Sequence, residues 1–138
     1  MIRDVFIDTG AFICRQRADD QHHRAALAGW AQLEKSRVRL FTSNFVLDEA
    51  ITLLSRRAGA HFAANQARVW YSSAVLRILR PDVDDEQRAL DLLAKFAEQA
   101  VSFTDCVSFV LMKREQIKRA FSFDRHFKAA GFELIPTR

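Results

Sequence analysis

Only two cysteines, Cys14 and Cys106, occur in the 138 residues, and their spacing matches no metal-binding pattern. Reduced thiols in a cytoplasmic protein follow as the default. No apolar run approaches the roughly 20 residues that cross a bilayer, so no membrane span is expected. The N-terminus carries no basic region followed by a signal-like apolar run, and nothing points to export. The first turn lacks the G-x-G-x-x-G of a dinucleotide fold. No internal repeat, linker or low-complexity segment divides the chain, so residues 1–138 read as a single domain.

What is present is ordinary globular material: 49% hydrophobic and 28% charged residues, enough apolar side chain for a real core. The net charge of +4 and pI near 9.5 are compatible with a nucleic-acid partner without establishing one.

Val5-Phe6-Ile7-Asp8-Thr9-Gly10 organises the rest. A continuous apolar run that ends in a turn signal reads as a strand buried on both faces, in the middle of a parallel sheet. Asp8 then stands at the carboxyl end of that strand, where ligands of parallel sheets bind. A carboxylate there is either a metal or phosphate-chemistry ligand, or the cap of the next helix.

Further strands are expected at Val38 to Thr42, Val75 to Leu79, Ala120 to Phe123 and Phe132 to Ile135. Between them fall helices at Ala11 to Arg17, from an Asp19 or Asp20 cap to about Lys35, and at Phe45 to Arg57, capped by Asn44 and stopped by Gly59. Others cover about Ala60 to Ser73, Asp82 to Gln99 with Leu90, Leu93 and Phe96 inward, and Asp105 to Arg114 capped by Thr104. Asp82, Asp84, Asp85 and Glu86 read as macrodipole and capping support. Strands alternating with helices, joined by right-handed crossovers, give a three-layer α/β/α sandwich with a mostly parallel central sheet.

Four acids occupy equivalent places in that scheme. Asp8 ends the first strand, Asp124 ends the fourth, Asp105 starts a helix, and Glu49 lies just over one turn into the helix after the second strand. Strand ends and the helix starts beside them share one edge of a parallel sheet, so the four carboxylates can converge. Acids about 5 Å apart repel by several kcal/mol at an effective dielectric near 20. Such a cluster persists when a cation sits among the oxygens, and hard oxygen donors select Mg²⁺ or Mn²⁺. Singly, each acid also reads as a cap, a first-turn acid or an exposed helix residue. Asp48 precedes Glu49, and the helix turns it about 100° away, so at most one of the two faces the cluster easily.

Phe6-Ile7-Asp8-Thr9, Ser43-Asn44-Phe45-Val46-Leu47-Asp48-Glu49, Ser102-Phe103-Thr104-Asp105 and Phe121-Ser122-Phe123-Asp124-Arg125-His126-Phe127 together resemble the PIN-domain ribonucleases, in particular VapC-type toxins of toxin–antitoxin pairs. The resemblance spans nearly the whole chain, in the expected order. It implies that Asp8, Glu49, Asp105 and Asp124 bind divalent metal and are catalytic, with Thr9 and Ser122 as supporting hydroxyls. It implies cleavage of transfer or ribosomal RNA, control by a cognate antitoxin whose arginine or lysine reaches the acids, and a homodimer. Phe45, Leu53, Phe62, Val69, Trp70 and Tyr71, on helices between Asn44 and Ser73, supply apolar surface for that dimer. A non-catalytic RNA- or protein-binding module of the same fold is the alternative.

Arg15, Arg17, His22, His23, Arg24, Arg56, Arg57, Arg77 and Arg80 read either as phosphate contacts or as solvated helix faces. Adjacent His22 and His23 are poorly placed to share a metal, and His126 reads as a surface residue that could approach the substrate. Cys106 lacks an evident histidine partner for nucleophilic chemistry. An aspartyl-phosphate phosphatase would carry a second aspartate where Gly10 stands. A receiver domain would need a phospho-acceptor at Leu79-Arg80-Pro81, which has none.

Overall fold

A computed structural model describes residues 3–16, 18–19 and 21–136. Among these residues five strands form one sheet in the order β3-β2-β1-β4-β5, every neighbouring pair parallel. The strands are β1 (Asp4–Ile7), β2 (Arg39–Ser43), β3 (Leu76–Leu79), β4 (Arg119–Phe121) and β5 (Glu133–Ile135). The helices are α1 (Thr9–Gln16), α2 (His23–Lys35), α3 (Asn44–Ala58), α4 (Ala60–Ser72), α5 (Val83–Lys95), α6 (Phe103–Arg114) and the short α7 (His126–Ala129).

Val5, Phe6 and Ile7 are each fully buried, as a central strand covered on both faces requires. The chain builds β2 and β3 on one side of β1, then crosses back to build β4 and β5 on the other. Right-handed crossovers running in opposite directions put their helices on opposite faces. The packing agrees: α1 lies on α2 and α3, and α3 on α4, whereas α5 lies on α6 and α6 on α7. This is the expected three-layer α/β/α sandwich.

One face is closed by Trp30, whose indole donates to the Ala11 carbonyl at 3.1 Å and meets the Phe121 ring at 5.2 Å. Gly29 lets α2 approach this closely, since a Cβ there would stand 2.5 Å from the Phe121 ring. On the other face Phe109 packs edge-on against Phe127 and stacks with Phe132. α5 is locked to α6 by Asp85, which is 1% exposed, closes a capping box with Asp82, and pairs with Arg114. Of the acids at the start of α5, Asp82 and Asp85 are therefore structural.

Several boundaries move. α1 starts at Thr9 rather than Ala11, and Arg17, at the expected end, lies outside the described residues. The N-cap position of α2 is His22 and makes no side-chain cap; Asp20 lies outside the described residues. Ser43, not Asn44, caps α3 by accepting from the Val46 N–H at 3.1 Å. Ser102, not Thr104, caps α6 in a reciprocal box with Asp105. α5 stops at Lys95, and a 3₁₀ turn, Ala97–Gln99, follows it, ending at Ala100 in the left-handed region with φ 53°. Leu90 is 47% exposed instead of inward, while Leu92, Leu93 and Phe96 pack on the core. β4 ends at Phe121, so Asp124 stands three residues past the strand. No helix of the described residues is long and apolar enough to cross a membrane.

Candidate active site

The order β3-β2-β1-β4-β5 reverses direction at β1, which leaves a crevice beyond the carboxyl ends of β1 and β4. Asp8 follows β1 into that crevice and Ser122 follows β4. Asp8 is 6% exposed, and the Ser122 hydroxyl donates to its Oδ2 at 2.7 Å. Backbone pairing holds both residues in place: the Asp8 N–H donates to the Phe121 carbonyl and the Ser122 N–H to the Ile135 carbonyl. The same Ser122 oxygen accepts from the Asp124 N–H at 3.0 Å. One hydroxyl thus ties Asp8 to the loop that carries Asp124.

Two helix starts supply the other acids. α3 follows β2, and α6 begins at the same edge. Their first turns meet through Phe45 and Phe103, ring centroids 5.8 Å apart. Glu49 and Asp105 consequently look into one cavity of about 780 Å³, lined also by Asp8, Thr9, Asp124 and His126. Arg57, two turns beyond Glu49 on the same helix face, and Arg125 bring positive charge to its wall.

The carboxylates feel one another. Burial pushes Asp8 from its ordinary 3.8 to about 7; the charges of Asp105 and Asp124 add to this, and the Ser122 hydroxyl opposes it. Burial, and then the neighbouring Asp124, push Asp105 to about 6, with Glu49 adding, while its capping bonds to Ser102 hold it down. Glu49 is also raised, first by burial and further by Asp124 and Asp48, against the hydroxyls of Thr104 and Thr9. The Thr9 hydroxyl is near enough to favour ionised Glu49, yet it is buried and makes no hydrogen bond of regular geometry. Asp48 itself is exposed, leaving Glu49 as the acid of this pair that lines the cavity.

A metal-free pocket of this kind resists ionisation of its own acids. An added cation would reverse that, because it offers the charge that burial removed. The carboxylates offer hard oxygens, and ligand atoms of Asp105, Asp124 and the His126 imidazole all lie within 4.8 Å of one another. With Asp8 and Glu49 lining the same cavity, these residues fit a divalent ion of the magnesium or manganese type.

His126 is the residue that sequence reasoning misplaced. It is not merely superficial: its Nδ1 is 2.9 Å from Asp124 Oδ1 and 4.0 Å from Asp105 Oδ2. Its own N–H donates to Asp124 Oδ1, and this local turn swings the ring inward. Other candidates have local structural partners. His22 stacks on Phe123 at 4.5 Å, and the His23 Nδ1 donates to the Cys14 carbonyl at 2.7 Å. Arg15 covers Trp30, and Arg77 covers Phe41. Burial, and then Asp105, raise the Cys106 thiol, which suits packing rather than attack.

Fold and site define a parallel α/β protein with an acidic, hard-donor pocket at its topological switch point. The chain belongs to the PIN domain family, whose profile matches residues 5–133. It is 39% identical over 128 residues to the 23S rRNA-specific endonuclease VapC20 of Mycobacterium tuberculosis, covering 93% of this chain and 95% of that one. The crystal structure of VapC20, described as a sarcin-ricin loop cleaving toxin, superposes with a TM-score of 0.84 over 93% of this chain and 95% of that chain, at 36% identity. A VapC ribonuclease of Archaeoglobus fulgidus is 32% identical over 123 residues, 88% of this chain and 77% of that protein. VapBC2 from Rickettsia felis, bound to a DNA fragment from its promoter, shares the fold alone: TM-score 0.69 at 13% identity, covering 95% of this chain and 96% of that chain.

Proposed function

We propose that this protein, as a single nuclease domain over residues 1–138, is a VapC-type endoribonuclease: the toxin of a toxin–antitoxin pair, acting in the cytoplasm on RNA phosphodiester bonds with a divalent metal. The observation that carries the reading is the buried Asp8, its carboxyl raised to about 7, sharing one cavity with Glu49, Asp105 and Asp124. Ribosomal RNA is favoured over transfer RNA, because VapC20, the 39% identical relative, is named for 23S rRNA.

In this reading Asp8, Glu49, Asp105 and Asp124 hold the metal. When bound, the ion lowers the pKa of a water and polarises a phosphodiester oxygen. Ser122 fixes Asp8, which lines the cavity, by donating to one carboxylate oxygen. Glu49, on the α3 wall, holds and orients the attacking water, and Thr104 and Thr9 oppose the upward push that burial gives its carboxyl. Arg57 and Arg125 meet the phosphates that flank the scissile one. A cognate antitoxin would silence the site by seating an arginine or lysine among the same acids, in place of the metal's charge.

Total RNA incubated with the purified protein in magnesium, in manganese and in chelator tests the reading. Discrete fragments are expected with either metal and none in chelator. Fragments that persist unchanged in excess chelator would contradict it, and a metal-loaded protein that cuts no RNA would point to a binding module instead.

A further inference from the structure

We propose that His126 is itself a metal ligand, so that the centre is a mixed nitrogen–oxygen site that prefers manganese to magnesium. This rests on the metal-dependent reading above and adds a nitrogen donor to the four carboxylates.

Three observations carry it. The imidazole Nδ1 is shielded from solvent and makes no hydrogen bond of regular geometry, although it points at two carboxylates. Its separations are those of atoms around one ion. Bonds of about 2.1 Å at right angles put neighbouring donors about 3 Å apart and opposite ones about 4.2 Å apart. Nδ1 is 2.9 Å from Asp124 Oδ1 and 4.0 Å from Asp105 Oδ2, close to the first and second of these values. The third observation is the Thr9 hydroxyl: Thr9 is 6% exposed, lines the same cavity, and its oxygen lacks a regular partner. A buried hydroxyl that leans only on Glu49, with no partner of regular geometry, is what a site built to receive a cation and its water would show.

The ring is held for the purpose. The Asp124 carboxylate accepts from the His126 backbone N–H at 2.9 Å, and the Phe127 side chain that follows is fully buried against Phe109. Backbone and core therefore fix where the imidazole sits, and little reorganisation is needed for binding. The consequence for selectivity is chemical. Magnesium takes oxygen donors and gives up water reluctantly, whereas imidazole suits transition metals, so a nitrogen in the set favours manganese.

The test uses the metal-free full chain with Mn²⁺ or Mg²⁺ alone. Pulsed electron paramagnetic resonance of the manganese-loaded wild type is expected to show imidazole ¹⁴N coupling, and His126→Asn should abolish it. His22, His23 and His61 remain in that variant, so the loss reports His126 alone. Calorimetric titration should show manganese affinity falling about tenfold or more in His126→Asn, with magnesium affinity falling distinctly less. His126→Gln provides a second variant, and circular dichroism of each metal-free protein verifies its fold. Manganese-loaded wild type without nitrogen coupling, coupling that survives both substitutions, or equal losses for the two metals would overturn the proposal; in that case His126 is only the ion-pair partner of Asp124. Wild type that binds neither metal would instead defeat the metal-dependent reading itself.

Discussion

Replacing Asp8 with Asn should stabilise the metal-free protein while destroying its activity. The substitution keeps the shape of the side chain and an oxygen to accept from Ser122, and it removes one buried charge. Asp8 titrates near 7 in the folded protein against 3.8 ordinarily. At 1.36 kcal/mol per pH unit, the ionised carboxylate therefore costs the fold roughly 4 kcal/mol at pH 8, an upper bound because water and side chains relax around it. The sign follows from linkage. A carboxyl whose folded pKa is raised binds its proton more tightly when folded, so its contribution is fully present below about pH 4 and is lost as pH rises through about 7. In chelator at pH 8, Asp8→Asn should thus melt above the wild type, by up to about 14 °C for a domain of this size. The gap should close steadily as the buffer is taken from pH 7 toward pH 4. Magnesium in excess should raise the wild type and narrow the gap, since an ion at 100 times its Kd adds about 2.7 kcal/mol to a fold that alone binds it. Asp105→Asn should behave alike with smaller amplitude, its carboxyl lying near 6. Differential scanning calorimetry at four pH values, with and without magnesium, measures all of this. An Asp8→Asn protein that melts below the wild type at pH 8, or a gap that ignores pH, would refute the reasoning.

Ser122→Ala should cost about 1–3 kcal/mol, because it strips the Asp124 N–H and the Asp8 carboxylate of one shared partner. The Asp8 titration, followed by carboxyl ¹³C NMR, should move further up, since that hydroxyl now holds it down. Gly29→Ala should destabilise by about 1–3 kcal/mol through the clash of its methyl with the Phe121 ring, read as a lowered denaturation midpoint. A homodimer is expected through α4, where Phe62, Val69 and Tyr71 stay about half exposed; light scattering should give twice the chain mass at micromolar concentration, and a monomer would rule it out. The other residues expected on that surface face inward: Trp70 is only 7% exposed and belongs to the core, and Phe45 and Leu53 pack against it.

How much of this was legible in the sequence depended on the range over which each feature is decided. Val5-Phe6-Ile7 announces a doubly covered strand because every residue in the run is apolar. The acids following it could be set on one edge from strand and helix alternation alone. Caps were harder. Ser43 and Asn44 are adjacent and both are good caps, and only the strand's extension to Ser43 decides between them. Ser102 and Thr104 compete likewise, although the three-residue spacing from Ser102 to Asp105 is itself the signature of a capping box. Leu90 fits a helix period but is half exposed, because α5 packs through Ala89, Leu92 and Leu93 instead. Spacing brings His126 near the substrate but does not say which way its ring turns. Its inward turn depends on a loop between β4 and α7, held by Ser122 and Asp124, that carries no periodic pattern.

The central claim is that four carboxylates from four separate segments form one metal-dependent centre for RNA cleavage. Single-turnover cleavage of ribosomal RNA, with magnesium titrated against wild type, Asp8→Asn, Glu49→Gln, Asp105→Asn and Asp124→Asn, tests it most directly. Each variant should keep its circular dichroism spectrum and lose more than the about 10–100-fold typical of residues that merely support metal ligands. A folded variant of any of the four that cuts at the wild-type rate, with the same magnesium dependence, would contradict the account.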